Sequence, residues 1–225
     1  YIAEVGGEAP VSMGIKTTAQ SVLIADVSGG KDPVIIYQKN PHHVVPVASL
    51  TKLMSMSILL EEAHVHPSTV VVSEEDEVKD EKDAQRLSVV QGEGITWNDM
   101  VRAALMFSAN NAVKTLVRAS GTREDVFVQE MNQRAQRWGM QSTTFIDVTG
   151  LSPRNVAPAS DILVLARYAF ANASLVGAGR GVVHTFPVNS PQGTRSITLR
   201  HTDRSRQSFI NNDREFCEDE SSKTI

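Results

Sequence analysis

The sequence has almost no cysteine. Cys217 stands alone among 225 residues, which excludes an internal disulfide and any metal cluster built on cysteine thiolates. Its setting, "EFCEDE", surrounds it with carboxylates that oppose thiolate formation, so a cysteine nucleophile is not expected either. Long apolar runs are missing too: "VLIADV" and "SILL" fall far short of the roughly 20 residues that a membrane-spanning helix needs. A large excess of one charge is also absent. A net charge of -4 is too mild to make nucleic acid the main partner, and 41% hydrophobic residues argue against disorder. The chain begins at Tyr1 with no charged n-region and apolar h-region, so either a signal peptide has been removed or the chain has been trimmed.

What is present suits a single domain, or two lobes sharing a cleft. Residues 21–27 and 34–38 are two β-rich runs joined by Gly and Asp-Pro turn signals, a hairpin that opens a sheet. A helix from Ser49 follows, with Leu50, Leu53, Met54, Met56, Ile58 and Leu59 on its buried face. "TVVVSEED" is strand-like, and the charge run 74–83 reads as a solvated loop. "RLSVVQGEGIT" looks extended, and Thr96 has cap chemistry before a long helical pattern that ends at Gly121. Thr122 then caps a helix through Trp138 whose inner side is Val126, Phe127, Met131, Ala135 and Trp138, and residues 159–171 form another. After Gly177 the period changes to two, giving a second hairpin around Pro191-Gln192-Gly193. β elements at both ends with helices between, and no internal repeat, predict an α/β fold of the α+β type: an antiparallel sheet from both chain ends with a helical subdomain over about 65–175.

The segment "PVASLTKLMSMSILLEE" places a lysine in an otherwise apolar helix, three residues after a serine. Residues three apart on a helix share a face, so Ser49 and Lys52 can meet. A lysine stripped of water holds its proton less tightly, and its neutral amine can then accept the serine proton, beside a helix N-terminus suited to a developing oxyanion. Alone, the pair also fits an N-capping serine and a lysine that snorkels to water. Two further clusters select between these. "MFSANN" sets Ser108 and Asn110 just after an apolar helix face, and "SSKT" sets Lys223 and Thr224 after a β-rich region.

With "ASLTKLM", "LMFSANNA" and "DVTGLSPRNVAPASDILVLA" in this order, the chain resembles the low-molecular-mass penicillin-binding proteins, the serine D-alanyl-D-alanine carboxypeptidases and endopeptidases, from about residue 21 to 224. The muropeptide endopeptidases stand nearest. The resemblance implies a serine β-lactamase/DD-peptidase-like fold, no cofactor or metal, peptidoglycan stem peptides as substrate, β-lactam antibiotics as covalent inhibitors, and a periplasmic or otherwise extracytoplasmic location. It makes Ser49 the nucleophile, Lys52 its base and Ser108 the relay to the leaving amine. Asn110 would bond the substrate amide, and Lys223 and Thr224 would hold its carboxylate.

Class A β-lactamases share this scaffold but carry a deacylating glutamate after the second motif. The stretch 147–161 has only Asp147 and Asp161 as carboxylates, so β-lactams are expected to inhibit rather than be consumed. The third motif departs from Lys-Thr-Gly: it reads Lys223-Thr224-Ile225 and stops. A truncated family member is therefore expected, with C-terminal strands missing and activity impaired. A non-catalytic peptidoglycan-binding protein is the alternative from another class. His42, His43, His64 and His66 lack metal-ligand spacing and read as loop histidines, and the sequon at Asn172 receives no role.

Overall fold

The computed structural model describes residues 15–28, 32–61, 66–78 and 84–203; Lys223, Thr224 and Cys217 lie outside them. Strands β1 (Val22–Asp26) and β2 (Val34–Lys39) form the expected antiparallel hairpin. A short strand β3 (Val45–Pro46) and a 3-10 turn (Ala48–Leu50) lead into α1 (Thr51–Glu61).

Helix α1 is the centre of the molecule. The sequence suggests one apolar face, but nearly the whole circumference is enclosed: Thr51, Lys52, Ser55 and Ser57 are buried along with Met54, Met56, Ile58 and Leu59. The other helices pack around it. Leu50 departs from the expectation: it sits in the 3-10 turn and is 44% exposed.

Strands β4 (Thr69–Val71) and β5 (Gly94–Thr96) pair antiparallel, and Thr96 caps α2 (Trp97–Met106) by accepting the Asp99 N–H. The long helical pattern is two helices, because the chain breaks at residues 107–109 before α3 (Asn110–Ala119). Helix α4 (Glu124–Arg137) has Arg123 rather than Thr122 at its cap; Phe127, Met131 and Ala135 face inward as expected, whereas Val126 is 46% exposed. The charge run before these helices is not simply solvated. Asp76 is buried, where the Arg118 guanidinium donates to both of its oxygens at 2.9 and 2.7 Å and Thr115 Oγ1 adds a third bond at 3.0 Å. Residues 84–90 are not a regular strand; Asn111 clasps Leu87 instead, accepting its N–H at 2.9 Å and donating to its carbonyl at 3.1 Å.

Strand β6 (Val156–Ala157) pairs with β3, and α5 (Ala159–Ala171) spans the residues read as helix in the sequence. Asn172 does have a role: its side chain accepts the N–H groups of Ser174 and Leu175 and so caps α6 (Ala173–Gly179). Strands β7 (Val183–Ser190) and β8 (Gly193–Arg200) form the second hairpin, and β7 joins β5 in a sheet of order β4-β5-β7-β8. Among the described residues the two terminal hairpins therefore lie in separate sheets rather than one, within the expected α+β class. His66 stacks on Trp97 and His42 Nδ1 bonds Ser160 Oγ; His64 lies outside the described residues.

Candidate active site

Three segments far apart in sequence converge at the start of α1. The first is the 3-10 turn, which leaves Ser49 exposed while α1 carries Lys52 inward to 3% exposure. The second is the α2–α3 break. Ser108 adopts φ +58°, a left-handed conformation that costs a non-glycine residue of order 1–3 kcal/mol and concentrates at functional sites. This break turns Ser108 toward the first segment, so that its Oγ donates to Ser49 Oγ at 2.9 Å. The third is the turn 147–155 between α4 and α5.

Lys52 Nζ reaches all three segments. It lies 3.1 Å from Ser49 Oγ, 2.7 Å from Asn110 Oδ1 and 2.8 Å from the Thr149 carbonyl oxygen. None of these partners is a carboxylate. Burial lowers the Lys52 pKa from 10.5 to about 8, against a smaller upward pull from the charge of Asp147. The neutral amine is thus within reach near physiological pH.

The partner set also dictates how that amine is oriented. A neutral lysine has two N–H bonds and one lone pair. Asn110 Oδ1 and the Thr149 carbonyl can only accept, so they take both N–H bonds. The lone pair is left for Ser49, whose hydroxyl can donate. The serine and lysine read from the sequence are therefore brought together in the geometry of a nucleophile and its base, with Ser108 on the other side of the nucleophile.

Asn110 meets the lysine from the start of α3. Its side chain is engaged at both ends, by Lys52 at Oδ1 and by the Gln85 carbonyl at Nδ2, 2.9 Å away. In this state it orients the lysine, and one of the two N–H bonds of Nδ2 is committed to Gln85. Sequence reasoning missed Thr149, since a backbone carbonyl has no residue-type signature. It also missed the side chains that hold that carbonyl. Asp147 accepts from Thr149 N, Thr149 Oγ1, Gly150 N and Ser152 N at 2.6–2.7 Å. Burial pushes the Asp147 carboxyl up, but these bonds outweigh it and its pKa is lowered. Asn155, fully buried, bonds Thr51 Oγ1 and the Asp147 carbonyl through Nδ2, and accepts Val47 N–H at its own carbonyl. Among the described residues no three His, Cys, Asp or Glu side chains gather as a metal site.

An exposed serine flanked by a buried amine and a second hydroxyl, on helices packed beside antiparallel strands, is a constellation suited to nucleophilic chemistry at Ser49. Solved structures of penicillin-binding proteins share the fold. A penicillin-binding protein homologue from Mycobacterium tuberculosis superposes with a TM-score of 0.73 at 24% identity, covering 91% of this chain and 73% of that one. The Streptomyces K15 DD-transpeptidase gives 0.71 at 18% identity, covering 84% and 76%.

Residues 7–176 match the peptidase S11 family, described as D-alanyl-D-alanine carboxypeptidase; this is more than half of the chain, and the chain belongs to that family. The D-alanyl-D-alanine endopeptidase of Pseudomonas aeruginosa is 35% identical over 146 residues, 63% of this chain and 44% of the relative. That of Escherichia coli is 33% identical over 147 residues, 64% of this chain and 45% of the relative. The chain spans less than half the length of these two curated relatives.

Proposed function

We propose that the protein is a serine-type DD-peptidase that cleaves D-alanyl-D-alanine type amide bonds in peptidoglycan through an acyl-enzyme. The observation that carries this is the contact of the buried Lys52 Nζ with Ser49 Oγ at 3.1 Å, with Asn110 Oδ1 and the Thr149 carbonyl able to take both N–H bonds of the neutral amine and leave its lone pair to Ser49. In the acylation step the Ser49 hydroxyl proton passes to the Lys52 amine as Oγ bonds the substrate carbonyl carbon. The C–N bond then breaks. A proton returned from Lys52 through the Ser108 hydroxyl, hydrogen-bonded to Ser49 Oγ, completes the leaving amine. Water later attacks the ester, releasing the acid and restoring the serine hydroxyl.

Lys223 and Thr224 are the residues proposed to bind the substrate carboxylate, one by charge and one by hydroxyl. The relatives named D-alanyl-D-alanine endopeptidases support an endopeptidase over a carboxypeptidase reading. Peptidoglycan lies outside the cytoplasmic membrane, so this reading places the protein there. Among the described residues no single helix is long and apolar enough to cross a membrane.

β-Lactams should acylate Ser49 and leave slowly. Asp147 is committed to the donors of its own turn, and Asp161 accepts from Thr143 Oγ1 at 2.8 Å and Ser142 N at 3.1 Å. With their oxygens committed to protein donors, these carboxylates are poor candidates for the base that a deacylating water needs. The test is incubation of the natural full-length protein with a fluorescent penicillin, followed by peptide mapping. Stable label on Ser49, abolished in Ser49→Ala, is expected. Rapid release would indicate a β-lactamase, and no label a non-catalytic binding protein.

A further inference from the structure

The catalytic lysine is aimed by a carbonyl, and a carbonyl can be aimed only by the backbone that bears it. We propose that Asp147 is a positioning residue for proton transfer: by folding the 147–152 turn it sets the Thr149 carbonyl that points the Lys52 lone pair at Ser49. This deepens the DD-peptidase reading and rests on it.

The turn makes three separate connections to the serine–lysine pair. The Thr149 carbonyl accepts from Lys52 Nζ at 2.8 Å. Gly150, at φ +89°, lies so close to the Ala48 carbonyl that a Cβ there would collide with it, and Ala48 is the residue before the nucleophile. Asn155 ties the turn to α1 at Thr51 and to the approach strand at Val47. At the centre of the turn is one carboxylate. Its Oδ1 accepts from Thr149 N, Thr149 Oγ1 and Gly150 N, and its Oδ2 accepts from Ser152 N. Both peptide units flanking the Thr149 Cα are thereby fixed, one by each N–H, and with them the direction of the carbonyl between them.

A neutral side chain cannot reproduce this pattern. An asparagine in place of Asp147 keeps one accepting oxygen and turns the other position into a donor that faces the Ser152 N–H. If the carbonyl swings away, one Lys52 N–H loses its acceptor. The amine can then turn about its Cε–Nζ bond, and the lone pair no longer faces Ser49. The charged groups around this pair are Asp147, whose charge acts on Lys52, and beyond it Glu124 on α4, which lies 3.9 Å from Lys114 of α3 and feels Asp147 in turn.

The experiment is the rate of Ser49 acylation by fluorescent penicillin across pH, in the natural full-length protein and in Asp147→Asn. The wild-type rate should rise along an acid limb centred near the Lys52 pKa of about 8. Asp147→Asn should lower the plateau roughly a hundredfold, the scale produced by misplacing a reacting group by about 1 Å. It should also move the acid limb to lower pH, because a negative charge that favoured protonated Lys52 is gone. A purely structural lesion would lower the labelled fraction but would not move the limb in this direction. Asp147→Glu should return the limb toward the wild-type position.

If Asp147→Asn does not fold, the near-isosteric Thr149→Val carries the test. It removes the hydroxyl donated to Asp147 while keeping the charge, so the plateau should fall about tenfold with the limb unmoved. Wild-type label on Ser49 together with unchanged kinetics in the folded variant would overturn the proposal alone. No wild-type label on Ser49 would overturn the DD-peptidase reading and this inference with it.

Discussion

Lys52 and Asp76 are both buried charged residues, 3% and 1% exposed, and the molecule treats them in opposite ways. Asp76 receives two bonds from the Arg118 guanidinium and one from Thr115, and the hydrogen bond to Asp76 raises the Arg118 pKa further above its ordinary value. That is a settled ion pair, which holds the end of α3 against residues 74–76. Lys52 is surrounded by neutral oxygens, and the one carboxylate that acts on it, Asp147, has its oxygens bonded to its own turn. A charge matched by an opposite charge stays charged. A charge matched only by dipoles is ready to lose its proton, which is what a base requires.

The largest expected effects come from breaking each arrangement. Arg118→Ala leaves Asp76 buried without its cation and should cost about 3–5 kcal/mol of stability, read as a lower urea midpoint. Lys52→Met removes an uncompensated charge while orphaning two acceptors, Asn110 Oδ1 and the Thr149 carbonyl, so its stability at pH 7 should stay within about 1 kcal/mol of wild type. Ser49 acylation in that variant should fall by a factor on the order of 100 to 10,000. If both substitutions destabilised equally, the contrast between the two charges would be wrong.

Next in size is Gly150→Ala, which meets the Ala48 carbonyl and a positive φ together. A loss of at least about 3 kcal/mol and of Ser49 acylation is expected, measured by thermal melting and label uptake.

The pH dependence of stability should be of similar size and of a definite sign. The folded-state pKa of Lys52, about 8, lies below its unfolded value of 10.5. Between those values the unfolded chain binds more protons, so stability rises with pH across the window and the Lys52 penalty is fully present below it. The rise should be about 3 kcal/mol larger in wild type than in Lys52→Met, by urea titration at each pH. The smallest effect belongs to Gly121→Ala, where φ is +82° but nothing lies within 4 Å; about 1 kcal/mol is expected, with acylation unchanged.

The Lys52 half of this contrast was legible in the sequence at the level of side chains. Ser49, Lys52, Ser108 and Asn110 were identifiable because their residue types and order have chemical meaning, and α5 was readable because its apolar period runs without interruption over Ala159–Ala171. The break between α2 and α3 was not, because apolar residues continue through Phe107 and Ala109 and the break is held by tertiary contacts such as Asn110 N to the Gln85 carbonyl at 2.9 Å. Asp76 was hidden inside a charge run, and its burial is set by a partner 42 residues away. The Thr149 carbonyl could not be read at all. Asp147 stood in plain view as a carboxylate, but its function is to receive backbone N–H groups, and only the folded turn shows where they point.

Proton transfer from Ser49 depends on Lys52 being able to stand neutral beside it. Titration of the Lys52 side chain by NMR, with 13C label at Cε and assignment through Lys52→Met, tests this without any substrate. A midpoint near 8 is predicted. A midpoint at the ordinary 10.5 would show a lysine that keeps its proton under working conditions, and the serine would then have no base.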